Sequence, residues 1–140
     1  MIYLLDTNIV IAMLKGVPEV LFRLRAHSPN AFALPSIVTH ELYFGAYRGA
    51  QVEANLARVQ GLQLQVIPFD AEDAEHAGEI RAVMARAGSP VGAYDALIAG
   101  QARARQLVLI TQNARVFARV PGLTVEDWKS GLPESVRATV

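Results

Sequence analysis

Three isolated acidic residues are the candidates for chemistry in this sequence. Asp6, Glu41 and Asp95 each stand near the start of a predicted helix, in the mostly apolar segments YLLDTNIVI, VTHELYFGA and VGAYDALIAG. An ionised carboxylate in such surroundings is costly to bury unless it meets a cation or hydrogen-bond donors. A helix cap would be enough to explain Asp6 alone. One shared cation would explain all three acids together.

The side chains available as ligands limit the choice of cation. The chain of 140 residues contains no Cys, which excludes thiolate zinc sites, cysteine nucleophiles and disulfides. Carboxylate oxygens favour hard cations, so Mg²⁺ or Mn²⁺ is expected. The histidines His27, His40 and His76 show no paired spacing, and we assign none of them a role.

Other enzyme classes and a membrane location lack their sequence signals. The chain has no G-x-S-x-G elbow, no G-x-x-x-x-G-K-[ST] phosphate loop and no G-x-G-x-x-G turn. The apolar N-terminus has no basic leading region, and no apolar run reaches the roughly 20 residues of a membrane span. A cytoplasmic protein with no membrane contact is therefore expected.

The hydrophobic pattern predicts one α/β domain over residues 1–140. Hydrophobic residues make up 52% of the chain, and the glycines and prolines are scattered rather than clustered into a linker. Strand-like and helix-like segments alternate, which favours a largely parallel sheet. The predicted strands are 2–5, 31–34, 64–68 and 107–110, with a possible edge strand at 123–125. The predicted helices are 9–15, one carrying Glu41, 51–60, 71–87, 94–105 and a short one near 115–119.

This topology would gather polar residues at one edge of the sheet. Sites in parallel sheets form at the carboxyl ends of the strands. Asp6 follows the first predicted strand, and Thr111 and Asn113 follow the fourth. We therefore expect these side chains to lie close together.

Charge gives a weaker indication of the substrate. The formal net charge is zero, so no bulk electrostatic argument for nucleic acid applies. The stretch from residue 81 to 119 nevertheless holds six arginines, no lysine and a single acid, Asp95. We interpret Arg81, Arg86 and Arg103 as candidate phosphate contacts, although solvated helix faces would explain each one equally well.

Taken in order, several segments resemble the PIN domain, and within it the VapC toxins of bacterial toxin–antitoxin pairs. They are YLLDTNIVI, SIVTHELYFGA, the long segment from GEIRAVMARAG to LITQNARVF, and VPGLTVEDW, which together span nearly the whole chain. The resemblance implies a three-layer α/β/α sandwich with a mostly parallel central sheet. It also implies a Mg²⁺- or Mn²⁺-dependent endoribonuclease, with the family's acids carried to Asp6, Glu41 and Asp95.

Under this hypothesis, water activated by the metal hydrolyses the RNA phosphodiester bond. Asp6 and Asp95 would bind the metal directly, and Glu41 directly or through water. Thr7, Thr111 and Asn113 would orient the acids from a second layer around the metal. Many PIN domains carry a fourth acid where this chain has Asn113, and a glutamate is often found at the position of Val116. The number of metals is therefore open.

The resemblance further implies RNA as substrate, a cognate VapB-like antitoxin and a homodimer. The apolar cluster Leu42, Tyr43, Phe44 and Tyr47 exceeds what one helix face needs to bury. Core packing explains most of this cluster, and part of it could form an interface.

Two other functions stay open: an RNA-processing nuclease without an antitoxin, and a catalytically weakened binding module. A receiver domain is disfavoured because Asp6 stands alone and the only lysines are Lys15 and Lys129. A haloacid-dehalogenase-like phosphatase would need a second Asp where Asn8 stands.

Overall fold

The structure, a computed structural model, describes residues 1–128. The last twelve residues of the predicted domain 1–140, Lys129 among them, lie outside the described residues. Within 1–128, no helix is both long enough and apolar enough to cross a membrane.

Five strands and seven helices alternate along the described chain. The strands are β1 (Tyr3–Leu5), β2 (Phe32–Pro35), β3 (Gln65–Ile67), β4 (Val108–Thr111) and β5 (Val125–Asp127). The helices are α1 (Thr7–Leu14), α2 (Pro18–Arg25), α3 (Ser36–Arg48), α4 (Val52–Gln60), α5 (Ala71–Arg86), α6 (Ala93–Ala104) and α7 (Ala114–Phe117). A 3₁₀ turn, Pro29–Ala31, precedes β2.

The strands form one sheet in the order β3-β2-β1-β4-β5, and every neighbouring pair is parallel. Leu4 in the central strand β1 lies beside Ala33 of β2 and Leu109 of β4. All three side chains are fully buried. Helices flank the sheet and cover it, which is why its strands are apolar runs rather than alternating ones. The predicted α/β fold with a mostly parallel sheet is confirmed.

The strand order reverses beside β1, and this reversal determines where the residues at the carboxyl ends of β1 and β4 meet. From β1 the chain proceeds to β2 and β3 on one side, and then returns to place β4 on the other side of β1. The Asp6 N–H donates to the Ile110 carbonyl at 3.0 Å, which extends the β1–β4 pairing one residue beyond β1. Ligand crevices of open α/β sheets form at such a reversal, outside the carboxyl ends of the strands.

The predicted elements agree with the structure, apart from small shifts of their ends and one omission. Helix α5 begins with a capping box, in which the N–H groups of Asp70 and Asp73 each donate to the other's carboxylate at 3.0 Å. Helix α2 was not predicted. Its sequence nevertheless carries helix signals, with Pro18 in the first turn, Glu19 after it and two arginines in the last turn.

Candidate metal-dependent active site

A cleft of about 620 Å³ opens at the carboxyl edge of the sheet, beside the ends of β1 and β4. Asp6, Glu41 and Asp95 all line it, so the fold brings together three acids that lie far apart in the sequence. Asp6 comes from the β1–α1 junction, Glu41 from α3 and Asp95 from the first turn of α6. The remaining lining residues are Thr7, Asn8, Ile11, His40, Phe44, Gly45, Arg48, Tyr94 and Asn113.

Asp6 is both a helix cap and a wall of this cleft. Its side chain is only 4% exposed, and its Oδ1 accepts a hydrogen bond from the Thr7 N–H at 2.8 Å, at the N-terminus of α1. Its Oδ2 accepts a second bond from the Thr111 hydroxyl at 2.8 Å. The capping interpretation and the site interpretation of Asp6 are thus compatible, because the cap bond uses one oxygen and Thr111 orients the other.

Thr7 joins two of the acids. Its N–H donates to Asp6, and its hydroxyl donates to Oε1 of Glu41 at 2.8 Å. Glu41 lies in the second turn of α3 and is half-buried. One residue at the start of α1 therefore fixes the relative orientation of a carboxylate after β1 and a carboxylate on α3.

Asp95 is half-buried in the first turn of α6, three residues after Gly92, the N-cap of this helix. Within residues 1–128, none of the three cleft acids forms a salt bridge with an arginine or lysine. Among the described residues, no direct ion pair offsets the negative charge of these acids.

Burial and mutual repulsion both disfavour ionisation in the cleft. Burial raises the pKa of Asp6, and the neighbouring charge of Glu41 raises it further, while the bonds from Thr111 and Thr7 act in the opposite direction. Burial also raises the pKa of Asp95, and the charges of Asp6 and Glu41 add to this. A bound cation would remove this repulsion.

The donor set fits a hard divalent cation held by few protein ligands. Carboxylates are the ligands that Mg²⁺ and Mn²⁺ prefer, and Mg²⁺ usually keeps several waters beside one or two carboxylates. Among residues 1–128, no group of three or more His, Cys, Asp or Glu side chains is placed to hold a metal ion by itself. A hard cation in this cleft would therefore depend on water for much of its coordination.

Thr111 and Asn113 lie at the carboxyl end of β4, where Thr111 is the last residue of the strand and Asn113 follows it. Thr111 is fully buried and donates to Asp6, as described above. Asn113 lines the cleft, is exposed, and its N–H donates to the Thr111 hydroxyl at 2.9 Å. Asn113 therefore contributes an uncharged amide at the position where an additional acid would have increased the negative charge.

None of the three arginines expected to contact phosphate lines this cleft. Arg81 and Arg86 are exposed on α5. Arg103 donates to His76 Nδ1 at 2.9 Å, to Glu79 at 2.7 Å and to the Pro121 carbonyl at 3.0 Å. Its side chain is only 14% exposed, so its donors serve the packing of α6 against α5. The arginine that does line the cleft, Arg48, was not among the sequence candidates.

Known proteins share the sequence pattern and the fold of this chain. The family model described as "PIN domain" matches residues 3–123. This chain belongs to the PIN-domain family, in its VapC branch. A VapC from Salmonella typhimurium named as a tRNA(fMet)-specific endonuclease is 42% identical over 128 residues, which cover 90% of this chain and 97% of that relative. A ribonuclease VapC2 from Haemophilus influenzae is 36% identical over 129 residues, with 90% and 97% covered.

Solved structures of VapC complexes share the fold of this PIN domain. A DNA-bound VapBC structure from Salmonella typhimurium aligns with a TM-score of 0.87 and 40% identity, covering 91% of this chain and 98% of that one. A VapBC-1 structure from nontypeable Haemophilus influenzae aligns with a TM-score of 0.84 and 30% identity, covering 93% and 100%. The region matched to the PIN domain contains all three cleft acids together with Thr111 and Asn113.

Proposed function

We propose that this PIN domain is a Mg²⁺- or Mn²⁺-dependent endoribonuclease and the toxin component of a VapBC-type toxin–antitoxin pair. The observation that carries the proposal is the convergence of three carboxylates in one cleft at the sheet edge, where none of them forms a salt bridge with an arginine or lysine of residues 1–128. The relatives named as VapC endonucleases and ribonucleases support the reaction class.

In this mechanism the side chains of the cleft position a cation and the scissile phosphate. Asp6 and Asp95 would hold the cation, and Glu41 would bind it directly or through a water molecule. When bound, the cation supplies a more acidic water as nucleophile and offsets the charge that develops on the phosphate oxygens. Thr7 and Thr111 fix the acids, since each donates a 2.8 Å hydrogen bond to a carboxylate oxygen.

The substrate and the partner follow from the relatives. Because the Salmonella relative is named for tRNA(fMet), initiator transfer RNA is the first substrate to test. Neighbouring structures are named as VapBC complexes, some with DNA, so we propose a cognate VapB-like antitoxin for this chain. We further propose a homodimer, a single nuclease domain over residues 1–140, and action in the cytoplasm. The proposed RNA substrate favours this compartment, and the absence of Cys is compatible with it.

The direct test is cleavage of initiator transfer RNA and total RNA by the purified protein, with Mg²⁺, with Mn²⁺ and with EDTA. We expect cleavage only with the metals, and a loss of at least about 100-fold in Asp6→Asn, Glu41→Gln and Asp95→Asn. Glu75→Gln, on the exposed surface of α5, is the matched control and should cleave like the parent. Mapping the ends would identify the bond that is cut.

Binding of the cation can be measured without any RNA. A metal that binds only the folded protein stabilises it by about 2.7 kcal/mol at a free concentration of 100 times Kd. Mg²⁺ or Mn²⁺ should therefore raise the Tm of the parent, and raise it much less in Asp95→Asn. Metal binding without cleavage would identify a binding module, and an equal rise in both proteins would place the metal elsewhere.

A further inference from the structure

Four large side chains on α3 and α6 line the cleft but have no part in the mechanism described above. His40, Phe44 and Arg48 lie on α3, and Tyr94 is the second residue of α6. We call these four residues the aromatic rim. The three on α3 are spaced by four residues, so they form one stripe along the helix. All four are exposed.

The rim is held in place by contacts among its own members. The His40 and Tyr94 rings have their centroids 5.3 Å apart at an interplanar angle of 53°, which joins α3 to α6. The Arg48 guanidinium lies over the Phe44 ring, 5.1 Å from its centroid. Phe44 is 59% exposed and Tyr94 50% exposed, so each ring offers a face to solvent although large apolar groups are usually buried.

The position of the rim relative to the acids suggests its ligand. His40 and Glu41 on α3, and Tyr94 and Asp95 on α6, all line the same cleft, so both helices bring an aromatic ring and a carboxylate to it. A phosphodiester bound at those carboxylates would bring its neighbouring nucleotides to the rim. Unpaired bases stack on aromatic side chains and on arginine planes, whereas bases within a duplex are already stacked on one another.

We propose that the aromatic rim binds an unpaired nucleotide next to the scissile phosphate. Tyr94 and Phe44 stack on its base, and Arg48 contacts its phosphate; this inference rests on the proposed ribonuclease function. Arg48 is the one lysine or arginine that lines the cleft in the part of the chain that the structure describes, so it is suited to a polyanion. The rim residues are positioning residues, because they act on the nucleotide beside the reacting bond.

An aromatic surface could equally be covered by protein, and the continuity of the rim with the acidic cleft favours RNA. Tyr47 provides the comparison within the chain: it lies on the same helix and is 63% exposed, but it does not line the cleft. An effect on RNA that appears in Tyr94→Ala and Phe44→Ala but not in Tyr47→Ala would distinguish the rim from exposed aromatic surface in general.

The first experiment measures kcat/KM on a short single-stranded RNA and on the same RNA with one base removed next to the cut site. With the intact RNA, Tyr94→Ala should lose about tenfold relative to Tyr47→Ala, while Tyr94→Phe keeps the parental rate. On the RNA that lacks the stacked base, the parent should fall to the level of Tyr94→Ala, and the substitution should have no further effect. Equal losses on both RNAs would indicate a structural role and overturn the proposal.

The second experiment measures binding without cleavage, in the Asp95→Asn background. An RNA carrying 2-aminopurine at the flanking position should lose fluorescence on binding, because the base stacks, and Tyr94→Ala should abolish this quenching. If the fluorescence is quenched but the parent protein does not cleave RNA, the rim binds a nucleotide as proposed and the nuclease proposal is wrong. Unchanged RNA binding together with an altered oligomeric mass in Phe44→Ala would identify a protein interface and overturn the inference.

Discussion

The Thr111 hydroxyl donates a 2.8 Å hydrogen bond to Asp6 Oδ2, although the two residues are 105 positions apart in the sequence. The same hydroxyl oxygen accepts the Asn113 N–H at 2.9 Å. Because a hydroxyl has a single proton to donate, the bond from Asn113 leaves that proton directed at Asp6. The backbone after β4 therefore orients the carboxylate that follows β1.

Replacing this hydroxyl should impair the site without unfolding it. Thr111→Val keeps the shape of the side chain but removes the bond that lowers the pKa of Asp6, so that pKa should rise further. We expect kcat/KM for RNA to fall about 10- to 100-fold, as for other groups that orient metal ligands. The acid limb of the pH–rate profile should move to higher pH, because Asp6 stays protonated longer.

The control for this substitution is Thr39→Val on α3, which also removes a hydroxyl bond, here to the Pro35 carbonyl at 3.3 Å, outside the cleft. It should leave the pH profile unchanged, and Thr111→Ser should restore most of the activity. A Thr111→Val protein whose profile coincides with that of the parent would show that the hydroxyl does not act through Asp6.

Removing a charge from the cleft should stabilise the protein when no metal is present. The pKa of Asp95 in the folded state lies above its ordinary value of 3.8, so the folded protein holds this proton to higher pH than the unfolded chain does. Stability must then fall as the pH rises from about 3.8 through the folded pKa, and it stays lower at neutral pH. Asp95→Asn in EDTA should therefore have a higher Tm than the parent at pH 7.

This difference in Tm should shrink as the pH is lowered through the folded pKa, because the parental carboxylate then becomes neutral as well. Thermal melts in EDTA at several pH values between 4 and 8 measure it directly. A lower Tm for Asp95→Asn at pH 7 would mean that this carboxylate stabilises the fold. That result would contradict the electrostatic repulsion on which the assignment of Asp95 to a cation site depends.

Features that depend on the local sequence pattern could be predicted from the sequence, whereas contacts between side chains of distant segments could not. Short apolar runs followed by polar residues were sufficient to place the strands. Parallel strands carry their carboxyl ends to the same edge, so the meeting of Asp6 with Thr111 could be anticipated. The apolar cluster on α3 is divided between core and surface: Leu42 is buried and Tyr43 half-buried, whereas Phe44 and Tyr47 are exposed.

Side-chain contacts between distant segments could not be predicted in the same way. Nothing local distinguishes Arg103, whose donors are used by His76 and Glu79, from the exposed Arg81. Arg48 lines the cleft because of the position of α3 in the folded protein. The sequence pattern of a helix does not predict that position.

The arginines on α5 and α6 should therefore separate into two classes. Arg103→Met removes the bonds to His76, Glu79 and the Pro121 carbonyl, so it should lower Tm and leave the salt dependence of RNA binding unchanged. Arg81→Gln and Arg86→Gln should leave Tm unchanged. If these exposed residues contact phosphate, each should reduce the slope of log K against log salt concentration by about one.

RNA affinity measured between 50 and 200 mM salt, together with thermal melts of the same proteins, distinguishes the two classes. If the slope of log K against log salt concentration is unchanged in Arg81→Gln and Arg86→Gln, these residues do not contact phosphate. A reduced slope for Arg103→Met at unchanged Tm would show that its donors are free to leave their protein partners for RNA.

The close packing of α5 on α6 should be intolerant of a single methyl group at Gly100. An added Cβ there would lie 2.5 Å from the Ala77 nitrogen and 2.6 Å from its Cα, and these backbone atoms cannot rotate away. Gly100→Ala should therefore destabilise the protein by about 1–3 kcal/mol, and it should also reduce RNA cleavage, because α6 carries Asp95. Gly78→Ala, on the exposed side of α5 with nothing within 4 Å, should instead stabilise the protein by up to about 1 kcal/mol. Urea unfolding of both variants measures the two effects, and equal stability of the two proteins would show that the helices separate at little cost.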